Sequence, residues 1–327
     1  MGIVRALLTL IHTGILILLL ATTLNAVVPP RVFPYLNLLS LGFPVLLLVH
    51  LGLCFWWLLR LKKRAIFFAA ATLLILQPIR RWVNWAGQDE AAANLKVISM
   101  NIKGGEYGYP EIYEYLESQQ ADLVLVQEFG TQFKLPGHQY QVTKYPIVAV
   151  SSRTEILKTE KIATTGNGNS FYADVRVNGQ TIRVINAYLN PFSFDKGTVI
   201  PTESLGENKV KVKYILKRLI PTFKIHQQEV ADLRRAVEQS PHPVLLAGDF
   251  NSVPNSYEYY QLTGSLTDAF VAAGKGLGTS FHDYKFPIRI DYIFSSPEIT
   301  PVNYRVDRSV HLSDHFPVIA EFNLKSP

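Results

Sequence analysis

The chain has 327 residues, with 32 Lys and Arg against 26 Asp and Glu and a formal charge of +6. The excess is confined to residues 1–85, which hold eight basic residues and no acidic one, so residues 86–327 carry a formal charge of −2. That balance argues against a broad polyanion-binding surface on the later part while leaving room for local basic patches, and the lone Cys54 excludes an intrachain disulfide.

The N-terminal stretch reads as a membrane unit. Ile3 to Val28 and Tyr35 to Leu59 are apolar runs long enough to cross the roughly 20-residue hydrocarbon thickness as helices, interrupted only by small or weakly polar residues. Ala65 to Ile79 is shorter, but Trp82 and Trp85 follow it like an interfacial aromatic belt, so a third span is expected; an interfacial helix is the alternative. A second long apolar run after the first argues against a cleaved signal peptide. Arg60, Lys62, Lys63 and Arg64 lie between the second and third runs, against Arg31 alone in the first loop, which places that basic loop and the N-terminus in the cytoplasm. Three spans then put the remainder outside the cytoplasmic membrane, although Arg80 and Arg81 pull the other way; two spans would keep it inside.

Ala86 to Asn94 reads as a polar linker, and residues 86–327 are long enough for one α/β core. Patterning predicts strands near 95–100, 122–127, 147–151, 171–177, 181–188, 243–248, 290–294, 302–307 and 317–323, with helices near 109–119 and 224–239. Polar residues stand where apolar runs end: Leu245 to Gly248 leads into Asp249-Phe250-Asn251, Leu123 to Gln127 into Glu128, and Leu312-Ser313 into Asp314-His315. A carboxylate, amide or imidazole at such a point is held rigidly and presented to solvent, as metal-assisted hydrolysis requires.

Five segments occur in a telling order: Val97 to Asn101, Gln127-Glu128, Gly248 to Ser256, Arg289 to Ile293, and Ser313 to Val318. Together they resemble the endonuclease/exonuclease/phosphatase superfamily, which includes exonuclease III, pancreatic-type deoxyribonucleases, neutral sphingomyelinases and inositol-polyphosphate 5-phosphatases. The resemblance covers about residues 95–323. It implies an α/β fold of two packed mixed β-sheets flanked by helices, a four-layer sandwich with its site at one edge, here preceded by transmembrane helices.

The resemblance also implies roles. Glu128 is the expected Mg²⁺ or Mn²⁺ ligand, since hard cations prefer carboxylate oxygen; Asn101 shares the ion or orients Glu128, and Asp314 assists the metal or its waters. Asp249 and Asn251, two apart on an expected extended segment, face one way; the family gives Asp249 the attacking water and Asn251 a phosphate oxygen. His315 is expected to contact phosphate, with Asp291 fixing its tautomer. His282 and His311 read as structural.

Two departures bear on substrate. Lys103 stands where exonuclease III has an acidic residue, and is a phosphate-contact candidate. Tyr188 stands where sphingomyelinase-like and deoxyribonuclease-like members carry His, although exonuclease III-like members have Tyr. Between Asn190 and Gln227 the chain runs long, through Pro191 to Lys196 and then Lys209, Lys211, Lys213, Lys217, Arg218 and Lys224 interleaved with apolar residues. This segment either lies on anionic lipid or packs its apolar side on the domain with its lysines in water. The sequence thus reads as a membrane-anchored, divalent-metal-dependent phosphoesterase cleaving a phosphodiester, with a lipid or head-group substrate ahead of DNA or RNA. A catalytically silent binding module is the alternative of another class, and no obligate protein partner is expected.

Overall fold

A computed structural model describes residues 2–85, 92–130, 133–163, 166–192, 202–283 and 287–325. Residues 86–91 of the expected linker, and Ser193 to Lys196 of the long insertion, lie outside the described residues. The chain opens with α1 (Gly2–Ala21), extended by a 3-10 turn, then α2 (Tyr35–Leu41), α3 (Phe43–Leu59), α4 (Lys63–Thr72) and, after a second 3-10 turn, α5 (Leu76–Arg80). It continues through β1 (Val83–Trp85), β2 (Leu95–Asn101), α6 (Tyr109–Ser118), β3 (Leu123–Gln127), β4 (Tyr140–Val142), β5 (Val148–Ser152), β6 (Ile156–Ile162), β7 (Asn169–Val177) and β8 (Gln180–Tyr188). The long α7 (Leu205–Glu238) leads to β9 (Val244–Asp249), α8 (Tyr257–Leu262), β10 (Thr267–Asp268), α9 (Ala269–Ala273), β11 (Lys275–Leu277), β12 (Asp291–Ser295), β13 (Ile299–Val306) and β14 (Val318–Leu324).

Two mixed six-stranded sheets, ordered β10-β12-β9-β8-β7-β6 and β13-β14-β2-β3-β5-β4, pack face to face. Strand alternation sets the layers. Val97, Leu125, Val184 and Leu245 meet between the sheets. On the outer faces Ile98 and Val124 pack on Ile112 and Leu116 of α6, while Ile185 and Leu246 pack on Val230 and Leu233 of α7. The order helix, sheet, sheet, helix is the one expected. The edge strand β6 was not expected, because Lys158, Glu160 and Lys161 leave little apolar pattern along it.

The N-terminal stretch differs from expectation. Only Gly2–Ala26 is a single described helix long and apolar enough to cross a bilayer. The second run is broken: Pro44 has no N–H for the Ser40 carbonyl, and α2 and α3 meet at 60°. The third is divided among α4, a 3-10 turn and α5, none of them long enough. Even so, the helices run antiparallel. Leu16, Trp57, Ala65 and Phe68 meet in one apolar cluster, and Leu19, Phe43, Leu47, Ile75 and Trp82 form another with Val253, Phe281 and Ile290 of the later domain. The turn carrying Arg60, Lys62, Lys63 and Arg64 is therefore at the end of the bundle away from that domain.

Polar residues within the apolar runs add further contacts to that domain. Asn25 Nδ2 and Ser40 Oγ donate to the Asn255 carbonyl at 2.9 and 2.7 Å. Asn37 Nδ2 donates to both Glu258 carboxylate oxygens, at 3.0 and 2.7 Å, and β1 pairs with β11. Inside the bundle, Trp57 Nε1 donates to His12 Nδ1 at 3.1 Å, leaving the His12 proton on Nε2, which is 2.9 Å from His50 Nδ1. His50 Nε2 then donates to Thr72 Oγ1 at 2.9 Å, and Thr72 donates to the Phe68 carbonyl at 3.0 Å. Cys54 Sγ is near enough for His12, His50 and Cys54 to share a cation, but the indole, a donor only, keeps a proton on the His12 nitrogen that a metal would need.

Candidate active site

Strand register brings the polar strand ends to one edge. Asn101 closes β2 beside Gln127 of parallel β3, so Glu128 emerges next to it. Tyr188 closes β8 beside Asp249 of parallel β9, and Asp249 is paired with Asp291, the first residue of β12. His315 shortly precedes β14, which pairs with β2.

The backbone is unusual at the same edge. Gly248 has φ 145°, and a Cβ there would lie 1.9 Å from the Ala187 carbonyl, so only glycine lets β8 approach this closely. Lys103, Glu128 and Asn251 adopt left-handed φ values of 46°, 51° and 44°, each costing roughly 1–3 kcal/mol. The extended path expected from Asp249 to Asn251 is replaced by a turn, in which the Asn251 N–H donates to Asp249 Oδ1 at 2.9 Å.

Asn101 Nδ2 donates to Glu128 Oε1 at 2.9 Å and to Asp249 Oδ2 at 3.0 Å, while its Oδ1 accepts from the Lys103 N–H at 3.0 Å. Asn101 thus bridges two carboxylates. The Tyr188 hydroxyl donates to the same Glu128 oxygen at 2.8 Å. His315 Nδ1 is 2.9 Å from Asp291 Oδ2, and its Nε2 is 3.8 Å from Asp249 Oδ2. The Asn251 amide donates to the Leu189 carbonyl at 3.0 Å. Lys103 Nζ lies 3.7 Å from Asp314 Oδ2 and 2.8 Å from Glu106 Oε2. Asn101, Glu128, Tyr188, Asp249, Asn251, Asp291 and His315 are therefore brought together, with Lys103 and Asp314 forming an adjoining pair.

Electrostatics follow from the burial of these groups. Desolvation raises the Asp249 carboxyl above the usual carboxylate range; His315 opposes this and Asp291 reinforces it. Burial alone would lower His315, but the Asp291 and Asp249 carboxylates outweigh it and hold the imidazole above its ordinary value. Tyr188 is raised by burial first and then by Glu128 and Asp249, so it remains a hydroxyl. Asp249, Asp291 and His315 offer ligand atoms within 4.8 Å of one another. Asp291 Oδ1 is buried and has no hydrogen-bond partner among the described residues. The clustered hard oxygens of Glu128, Asp249 and Asp291, one of them unsatisfied, fit a divalent cation, whereas the charged His315 imidazole offers only donors.

Two supports were not anticipated. Gln127 Nε2 donates to Ser99 Oγ at 3.1 Å and Asn186 Oδ1 at 2.8 Å, and Asn186 Nδ2 donates to the Val126 and Ala149 carbonyls at 3.0 and 2.8 Å. This bridge ties the sheets together beneath Glu128, and its signal was a single amide in each apolar strand. Arg289, fully buried, grips Asp268 with two hydrogen bonds of 2.8 and 2.6 Å and lies over the Phe270 and Tyr292 rings, fixing the approach to Asp291. His282 stacks on Phe316 at 4.1 Å between ring centroids, and His311 packs edge-on to the same ring.

Residues 98–315 match the endonuclease/exonuclease/phosphatase family, and residues 5–82 match a domain of unknown function, DUF8431. A search of curated proteins returns no match. Among solved structures, the chain is similar to an endonuclease/exonuclease/phosphatase from Bacteroides vulgatus, with 15% identity, a TM-score of 0.52, and coverage of 71% of this chain and 99% of that one. It is also similar to the human Nocturnin catalytic domain with bound sulfate, at 14% identity, TM-score 0.51 and coverage of 72% and 96%. A 3′ phosphatase, NExo, from Neisseria bound to a product DNA hairpin gives 20% identity, TM-score 0.51 and coverage of 70% and 99%. Such identities establish the fold alone. The family match, however, extends from β2 to His315 and takes in the polar edge just described; the chain belongs to the endonuclease/exonuclease/phosphatase family and is a metal-dependent hydrolase of phosphoester bonds.

Proposed function

We propose that this hydrolase is a membrane-anchored phosphodiesterase using Mg²⁺ or Mn²⁺ and acting on a phospholipid or its head group. Residues 1–85 form the anchor and residues 86–327 the catalytic domain. The observation that carries the reading is the packing of the turn after Asn251 on the N-terminal helices, through Val253 in their apolar cluster and the Asn255 carbonyl. A narrow apolar slot beside Asn251 is walled by Leu41 of α2 together with Phe192, Phe223, Ile288 and Ile290. The slot thus borders α2, which with α3 forms a bent pair long and apolar enough to count as one span.

In this reading Glu128, oriented by Asn101 and Tyr188, would hold the cation together with Asp314. When bound, the ion polarises the phosphate and offsets its charge. Asp249, protonated more readily than an ordinary carboxylate, takes a proton from the attacking water. His315, kept charged by Asp291, donates to phosphate oxygens as charge builds on them. Asn251 holds a phosphate oxygen, and Lys103 and the Tyr188 hydroxyl add positive potential. The basic turn from Arg60 to Arg64 lies in the cytoplasm, which puts the catalytic domain on the other face of the cytoplasmic membrane.

A nuclease acting on DNA or RNA is the second reading, favoured by Tyr188 in place of His. The test is a substrate screen with the full chain in vesicles: sphingomyelin, phosphoinositides, DNA, RNA and bis-p-nitrophenyl phosphate, each with Mg²⁺, Mn²⁺ or EDTA. Metal-dependent lipid turnover dominating the screen is the expected result. Dominant nucleic-acid cleavage would establish the second reading, and no turnover of any substrate would overturn both.

A further inference from the structure

We propose that the N-terminal half of α7 is a docking helix for an anionic bilayer surface; the proposal rests on residues 1–85 being membrane-anchored. One apolar stripe runs along α7 through Leu205, Val212, Leu216, Leu219, Phe223 and Val230, at the three-, four- and seven-residue steps of a single helical face. Its later part is core: Leu219 is 5% exposed, Phe223 3% and Val230 1%. Its earlier part is not, with Leu205 88% exposed and Val212 55% exposed among the described residues. The same face therefore changes from buried to open within one unbroken helix. Pro221, which removes one helical hydrogen bond, stands at the change.

The early half is nonetheless a committed helix. Ser204 Oγ accepts from the Glu207 N–H at 3.3 Å, the start of a capped turn, and Leu205 to Arg218 extends about 21 Å beyond the buried part. Lys209 and Lys213 edge the stripe on one side, and Lys217 and Arg218 lie further round the helix. Glu207 is the single carboxylate in that half. An apolar strip edged by cations is complementary to acyl chains beneath anionic head groups.

Position supplies the second argument. At the point where α7 leaves the domain it borders the N-terminal helices: the Arg31 N–H donates to Gln227 Oε1 at 3.0 Å, and Phe223 lines the slot beside Leu41 of α2. The open stripe therefore begins at the level where the apolar bundle meets the domain.

The test uses the full chain carrying Cys54→Ser and Val212→Cys, with a polarity-sensitive fluorophore on the new thiol. The chain is studied in detergent, in phosphatidylcholine vesicles, and in vesicles that also contain phosphatidylglycerol. Acrylamide quenching should fall at least about threefold in the anionic vesicles alone, and Lys209→Glu, Lys213→Glu and Lys217→Glu together should restore it. Equal quenching in all three media would overturn the proposal. So would protection already present in detergent, which means cover by the chain itself, or protection that grows with protein density at fixed lipid, which means a second copy. Alkaline carbonate extraction of the same vesicles separates the two layers of inference. A retained chain with an exposed probe overturns the docking helix only, whereas a released chain removes the anchor and the docking helix together.

Discussion

Asp249 and His315 each combine burial with an opposite charge at 3.8 Å, and each departs upward from its ordinary pKa. Their proposed parts in proton transfer and charge stabilisation predict that Asp249→Asn and His315→Ala each lower turnover by at least about a hundredfold without unfolding the chain. Steady-state rates beside a melting curve check this. Glu229 provides a test independent of catalysis. Burial pushes its carboxyl up to about 7 against the His226 charge, and one oxygen has no partner among the described residues. Because the folded chain holds this proton more tightly than the unfolded one, its stabilising effect is complete below about pH 4.5 and is lost as pH rises through about 7. Glu229→Gln should therefore raise stability at pH 8 by on the order of 3 kcal/mol and by almost nothing near pH 4, measured as the pH dependence of thermal unfolding. Asn101, Glu128 and Asp249 were legible because each ends a largely apolar strand, whereas Asp291, which begins β12, was legible through the family resemblance. Gln127 and Asn186 were not, since an amide inside a strand does not name the distant strand that it bridges.

At the scale of elements, β3 and β9 were readable from unbroken apolar runs and β2 and β8 from runs broken by single polar residues, whereas α7 was bounded as a helix only from about residue 224 onward, the stretch before it being read as a basic amphipathic segment. The alternation Lys209-Val210-Lys211-Val212-Lys213 has the two-residue period of a strand, which masks a helical stripe whose members lie three, four and seven apart. A different confusion affected the N-terminal runs. Asn25, Asn37 and Ser40 passed as weakly polar interruptions in membrane spans, yet they are the groups that bond the Asn255 carbonyl and the Glu258 carboxylate. Asn37→Leu removes both donations to a fully buried carboxylate and should cost about 2–3 kcal/mol. Chemical unfolding of the detergent-solubilised chain measures it, and a change under about 0.5 kcal/mol would mean that water or a neighbour takes over the bond.

For the whole molecule, the arrangement of charge predicts sidedness. The Arg60 to Arg64 turn is at the end of the bundle away from the catalytic domain, while Arg31 is on the domain side, bonded to Gln227. With the basic turn in the cytoplasm, residues 92–325 should be cleaved by protease added to intact cells or, where an outer membrane encloses them, to spheroplasts. Protection until the cytoplasmic membrane is lysed would show that the bundle is inverted or does not cross.

The chain of hydrogen bonds from Trp57 through His12, His50 and Thr72 has a consequence for reach. Apart from the weakly accepting Cys54 Sγ beside both imidazoles, each donor in it has one acceptor, so sliding or rotating one helix by a single turn would strand several polar groups in an apolar medium, at roughly 1–3 kcal/mol each. The helices are thereby indexed against one another like the teeth of a ratchet. Because the same helices grip the turn after Asn251, the anchor proposed above would mount the phosphoesterase at a set height over a bilayer instead of leaving it to swing on a leash. Its accessible substrates are then sorted by how far their phosphate stands from the lipid surface.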